Sequence, residues 1–224
     1  MEKLTRQNQG YYDRLQRARS WLERAQTIAH SAEEWEDYGG QFIVYWIALN
    51  ALYARDVGER RSDQKDFRWF IELICSLDQQ QKLREALDAV KRKAEGILEN
   101  KFLFEWYWEE GTTTRVIQAM KEEARTAQAA WNEGQTARYM LILLRRLRML
   151  RNQILHDCST DRRSLNRDSL RPAVGILEAL VPTLIDVMEQ TGKGKDWPPI
   201  PYPRARSPQN PDSIRHRQAQ GERN

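Results

Sequence analysis

The chain has 224 residues, 40% of them hydrophobic and 30% charged, with a formal net charge of +4, long enough for one good core and ordinary for a soluble protein rich in long helices. Its longest apolar stretch, residues 42–54, is interrupted by Asn50 and falls short of the roughly 20 residues a membrane span needs; the first ten residues carry no apolar region behind their charges, so neither membrane insertion nor secretion is expected. Two cysteines, Cys75 and Cys158, and three histidines, His30, His156 and His216, provide neither a disulfide framework nor a His/Cys metal site, so the expected setting is the reducing cytoplasm, with no cofactor.

Taken in chain order, Leu15, Ala18, Leu22, Ala25 and Ile28 recur at helical spacing and predict an amphipathic helix over 4–28. Ser31 and Glu34 have the form of a capping box and predict a new helix start, with Gly39 and Gly40 loosening the backbone within or just before it. Residues 41–55 are apolar almost all round, as expected of a central helix. A loop is expected at 58–63 and a helix at 67–77. Another helix is expected at 82–98, with Leu83, Leu87, Val90 and Ala94 on one stripe. The aromatic run 100–108 should pack over the core. Gly111-Thr112-Thr113 precedes a helix running to about Trp131, and Gly134 marks the next turn.

The clearest helix is 137–156, where Met140, Leu143, Leu144, Leu147, Leu150 and Ile154 form a continuous apolar face. A polar loop separates it from a last helix at 166–190, in which Pro172 is tolerable near the start whereas Pro182 should kink the chain. Beyond Asp196 the Pro-rich, then Arg-rich, sequence predicts an extended and finally disordered tail. No repeat of 20–50 residues and no alternating strand pattern is present. The fold class expected is all-α: a single bundle of about six helices over 1–202, followed by a disordered basic tail at 203–224.

Charge is distributed unevenly. The tail carries five Arg against two acids, which accounts for most of the net charge, so nucleic-acid binding cannot be argued from the isoelectric point. Between Arg145 and Arg171, however, eight Arg face three Asp, the strongest basic concentration in the folded part. No Gly-rich phosphate loop and no nucleophile elbow is present.

Arg151-Asn152-Gln153-Ile154-Leu155-His156 closes the best helix. Asn152 and His156, four apart, share a face, and the long arm of Arg151 can swing to the same cleft. A helix C-terminus favours imidazolium, tuning His156 for proton transfer near neutral pH. Arg offers a planar charged fork suited to phosphate. Asn can hold the imidazole tautomer or a ligand oxygen. Together they form a minimal phosphodiester-cleaving set that needs no metal. A histidine that simply caps the helix fits the same spacing. Trp46, Asn50 and Tyr53 lie at helical spacing and are read as core packing, with Asn50 as a satisfied buried polar group, in preference to lining the motif cleft. Trp106 and Trp108 are read as a core lid rather than a base-stacking platform, which would need exposure, and Cys158 as an inert thiol rather than half of a thiol–imidazole pair. The tail either adds non-specific RNA affinity or solubilises.

The run RNQILH resembles the Arg-x4-His signature of HEPN domains (higher eukaryotes and prokaryotes nucleotide-binding), all-α bundles that commonly dimerise. The likeness extends through FIVYWIALNALYA (42–54), ENKFLF (99–104), LRNQILH (150–156), LNRDSLR (165–171), ILEALVPTLIDVM (176–188) and DWPPIPYP (196–203) to a bacterial group of HEPN proteins. It implies a homodimeric, metal-independent endoribonuclease acting as a toxin or defence effector, with RNA and an antitoxin or other protein as candidate partners. By this resemblance Arg151 would stabilise the scissile phosphate, His156 would transfer protons at the 2′-hydroxyl and leaving oxygen, and Asn152 would orient one of them. Two protomers would juxtapose their motifs.

Arg148, Arg162 and Arg163 are the expected substrate-binding cations. Related sequences follow the His with small residues, whereas here Asp157 and Cys158 follow. Asp157 should weaken phosphate binding unless Arg162 or Arg163 neutralises it. Cys158 stands where a nucleotidylated subgroup carries Tyr, so that regulation is not expected. The alternative function is a catalytically silent HEPN module that binds nucleotide, RNA or a protein. A purely structural bundle would instead bury and pair the polar motif within one protomer.

Overall fold

The computed structural model describes residues 2–31, 37–55, 63–156 and 164–201, and among these the fold is an all-α bundle without strands. Its helices are α1 (Glu2–Ser31), α2 (Tyr38–Tyr53), α3 (Asp63–Leu77), α4 (Lys82–Ala89), α5 (Lys91–Glu99), α6 (Glu105–Glu110), α7 (Thr114–Asn132), α8 (Thr136–His156) and α9 (Ser164–Thr191), with a 3-10 turn at Lys101–Leu103. None of the described helices is long and apolar enough to cross a membrane.

Helix α1 lies along α2, where fully buried Ala18 and Ala25 present no bulk to hold the two backbones apart. Helix α2 is covered by α1 on one side and α9 on another, which explains why its sequence is apolar almost all round. The centre is shared with α9, which packs chiefly against α2, α4 and α5 and also touches α1, α3 and α8. Helix α8 runs along α7 and crosses α3 and α5, turning Met140, Leu143, Leu144, Leu147 and Leu150 inward.

Several boundaries differ from the sequence expectation. Ser31 ends α1 instead of capping a new helix, and Glu34 lies outside the described residues. The cap of α2 is Asp37, whose carboxylate accepts the Gly40 N–H at 2.7 Å. A Cβ on Gly40 would collide with that carboxylate, so the glycine makes the cap fit. Most of the loop expected at 58–63 lies outside the described residues, and Asp63 already belongs to α3.

The helix expected over 82–98 divides at Val90, where ψ opens to 14° and the N–H bonds the Leu87 carbonyl, three residues back, at 3.2 Å. That tighter closure ends α4 and starts α5. The aromatic run is not one segment but a 3-10 turn, capped by Asn100 accepting the Phe102 N–H at 2.9 Å, followed by α6. These divisions raise the helix number above the expected six.

Helix α9 continues unbroken through Pro172 and Pro182. The carbonyl that Pro182 leaves without a donor belongs to exposed Glu178, where water can reach it. Next to it, Thr183 Oγ1 donates to the Ala179 carbonyl at 2.8 Å.

Past α9 the chain turns at Gly192 and residues 196–201 fold back over α1 and α3. Trp197 is buried among Tyr11, Trp69 and Phe70, with its Nε1 donating to the Gly192 carbonyl at 2.8 Å. The tail expected at 203–224 lies outside the described residues.

Candidate functional site

The apolar face of α8 fixes where its polar residues point. Arg148 and Asn152, one turn apart on the far side of the helix, both line a pocket between α8 and α6. Arg151 is displaced by about 100° from Asn152 and lies toward α2, with its guanidinium carbon 5.5 Å from the centroid of the Trp46 ring. Its Nε is buried without a hydrogen-bond partner. The expected swing of Arg151 into the Asn152 cleft is thus not taken up, because a cation–π contact holds the guanidinium on α2.

His156 is the last residue of α8. Its side chain lies outside the described residues, as do Asp157, Cys158, Arg162 and Arg163. Trp46, expected in the core, is buried and also borders the motif. Tyr53 is buried as expected, whereas Asn50 is exposed and not a buried polar group.

The pocket beside Asn152 has a volume of about 160 Å³. It opens into a groove of about 840 Å³ between α3, α7 and α8, which shares Gln64, Glu105, Glu123, Arg145 and Arg148 with it. Along the two cavities five cationic side chains, with Arg146 buried beneath them, face three carboxylates, so the surface carries net positive charge. Arg148 makes no ion pair among the described residues. Glu123 is shared: its carboxylate contacts Arg145 at the rim and Arg146 beneath it, the latter with Nε 2.9 Å from Oε1.

That second contact is within ion-pair distance, yet its angle is not that of a hydrogen bond. Arg146 is only 1% exposed, and its guanidinium lies 4.5 Å over the Phe104 ring. Burial pushes its pKa down, Glu123 opposing the shift.

Gln153, unremarked in the motif, proves to be its brace. Its Nε2 donates to the Phe102 carbonyl at 2.6 Å, and the same carbonyl accepts Trp108 Nε1 at 2.8 Å. One acceptor therefore ties the C-terminal end of α8 to the aromatic segment. The lid expected from Trp106 and Trp108 is not a lid: they are 42% and 53% exposed. The 3-10 turn directs Leu103 and Phe104 inward, and the six-residue α6 is too short to return both indoles to the core. A break signal within 100–108 was the missing clue.

Cys75 is half-buried on the wall of a cavity between α3 and α8, and burial, aided by Asp78, pushes its thiol up to about 12 from an ordinary 9.0. At pH 8 its thiolate fraction should fall about a thousandfold below that of a free thiol. In a Cys158→Ser background, a thiol reagent should therefore label the native protein about a thousand times more slowly than the urea-unfolded chain. Comparable rates would mean that Cys75 is open to solvent. Among the described residues no three His, Cys, Asp or Glu side chains gather as a metal-ligand set.

No protein-family model matches the chain, and no significant match is found among curated proteins or solved structures.

Proposed function

We propose that the protein is a homodimeric, metal-independent endoribonuclease of the HEPN type, acting in the cytoplasm as a toxin or defence effector. The observation that carries this reading is the end of α8. There Arg148 and Asn152 face a cationic groove, Arg151 sits one residue away, and His156 terminates the helix. Within this reading His156 moves the proton between the ribose 2′-hydroxyl and the leaving 5′-oxygen. Arg151 and Asn152 stabilise the charge that develops on the phosphate, and a 2′,3′-cyclic phosphate is the first product.

Because Arg151 rests on Trp46, away from Asn152, one protomer does not assemble the whole set. A second copy supplies the missing half. Leu155, 53% exposed beside the motif, offers an apolar contact for that copy. The same position of Arg151 also favours a second reading, a catalytically silent HEPN module that binds RNA, a nucleotide or a protein such as an antitoxin.

Cleavage of end-labelled RNA in excess EDTA separates the two. Wild-type protein should leave 2′,3′-cyclic phosphate ends, and His156→Ala and Arg151→Ala should each slow cleavage by about 100-fold or more. Light scattering should give the mass of a dimer. Equal inertness of wild type and variants on structured, single-stranded and transfer RNAs would leave the silent module as the function, and a strictly monomeric protein would rule out a composite site.

A further inference from the structure

Trp106 is a large, half-exposed apolar side chain that forms a wall of the small pocket between α6 and α8. The volume there, about 160 Å³, is comparable with the ~150 Å³ cavity that holds a benzene ring in an engineered protein core. It suits one ring system and is too small for a helix or a folded peptide. Its lining divides in two. Leu103, Phe104 and Met149 are apolar, whereas Arg148 and Asn152 place a cation and an amide beside them; Glu105 and Glu123 also line it, Glu123 neutralised by Arg145 and Arg146.

The Asn152 amide can both donate and accept, as the edge of a nucleobase requires. Arg115, paired with Glu110, lies 5.8 Å over the Trp106 ring. From this pocket the cationic groove leads away along α8 past Arg145 to Arg138. A ring-sized pocket with an aromatic wall, opening into a positive groove, has the parts by which proteins hold single strands: a stacking surface and an electrostatic track.

We propose that this pocket receives one unstacked base of single-stranded RNA, stacked on Trp106, while Arg148 and Arg145 hold the adjoining phosphates. The inference deepens the ribonuclease reading by naming its substrate class, and rests on that reading only for the cut that follows binding. A duplex keeps its bases stacked inside and cannot fill the pocket. Arg146, sealed beneath the floor, takes no direct part.

The test is fluorescence anisotropy with a labelled ten-nucleotide RNA methylated at every 2′-oxygen, which binds but cannot be cut through its 2′-hydroxyl. The same strand annealed to its complement is the comparison. Trp106→Ala should weaken single-strand binding about 5- to 150-fold, the range for loss of one base–aromatic stack. Trp106→Phe should retain most of the affinity. Arg148→Ala should weaken binding and lower the salt slope by about one. Trp21→Ala, at an exposed tryptophan on α1, should change nothing.

Trp106 is exposed enough for the alanine variant to fold. Should it not, photocrosslinking of a 4-thiouridine strand to wild-type protein should mark residues 103–106. Undiminished affinity in a folded Trp106→Ala, equal affinity for the duplex, no binding at all, or crosslinks elsewhere would each overturn the proposal. Trp106-dependent binding without any cleavage of ordinary RNA would sustain it while removing the ribonuclease reading. Cleavage with Trp106-independent binding would do the reverse.

Discussion

Arg14→Ala is expected to lower the unfolding free energy by roughly 3–5 kcal/mol, from the cavity it leaves and the buried carbonyls it orphans. The guanidinium is fully buried, yet its hydrogen bonds go to backbone rather than to a carboxylate. Nη1 donates to the Leu52 and Ala54 carbonyls at 3.1 and 2.6 Å, and Nη2 to the Pro198 carbonyl at 2.8 Å. One side chain thus joins α1, the end of α2 and the returning segment 196–201. Alanine would leave a cavity and orphan these buried carbonyls, at about 1–3 kcal/mol each before relaxation. Arg14→Lys should recover less than half of the loss, since one ammonium cannot span acceptors from two segments.

Burial, then the charges of Arg55 and Arg17, lower the Arg14 pKa to about 10 from 12.5. The side chain therefore remains charged near neutrality. With the folded value below the unfolded one, this group's contribution to stability is constant at and below about pH 9 and rises only as pH climbs through 10. Denaturant unfolding at pH 6 and pH 8 should give the same loss for Arg14→Ala. A loss under about 1 kcal/mol at either pH would mean that Trp197 and the Arg17 bond to the Pro201 carbonyl hold the returning segment without Arg14.

The second large effect should come from Glu123→Ala. Among the described residues its carboxylate is the one counter-charge of Arg146, whose Nη1 and Nη2 are buried without hydrogen-bond partners. Removing Glu123 strands a charge in the interior and should cost about 3–5 kcal/mol. The exposed pairing of Glu123 with Arg145 adds little to this. Replacing both partners by apolar residues, Glu123→Leu with Arg146→Met, should be far milder than Glu123→Ala because no charge is then left buried. Thermal unfolding of the two single variants and the double variant forms the cycle. Additive losses in the double variant would show that the pair is not coupled.

These two sites also mark where a linear reading stops. Periodicity located α1 and α8 to within a few residues, because each buries one face continuously and the spacing of its apolar residues reports that face directly; α7 and α9 were bounded by the breaks before them. The spacing that paired Asn152 with His156 applies equally to Arg148 and Asn152, which the structure brings to one pocket, since residues four apart share a helix face whatever surrounds them. All-α architecture followed from the same evidence.

Which polar residues are buried was decided elsewhere. Arg14 looks like any surface arginine of an amphipathic helix until carbonyls 38, 40 and 184 residues away close around it. Arg146 differs from Arg145 only by one position of helix register, yet one lies under Phe104 and the other at a groove rim. Arg151 could reach several neighbours by sequence, and the position of Trp46 on α2 chose among them. Trp106 and Trp108 are as apolar as any core residue, and only the tight turn before α6 sends them outward. Local spacing determines which face of a helix a residue occupies; what meets that face is set by packing between segments distant in the chain.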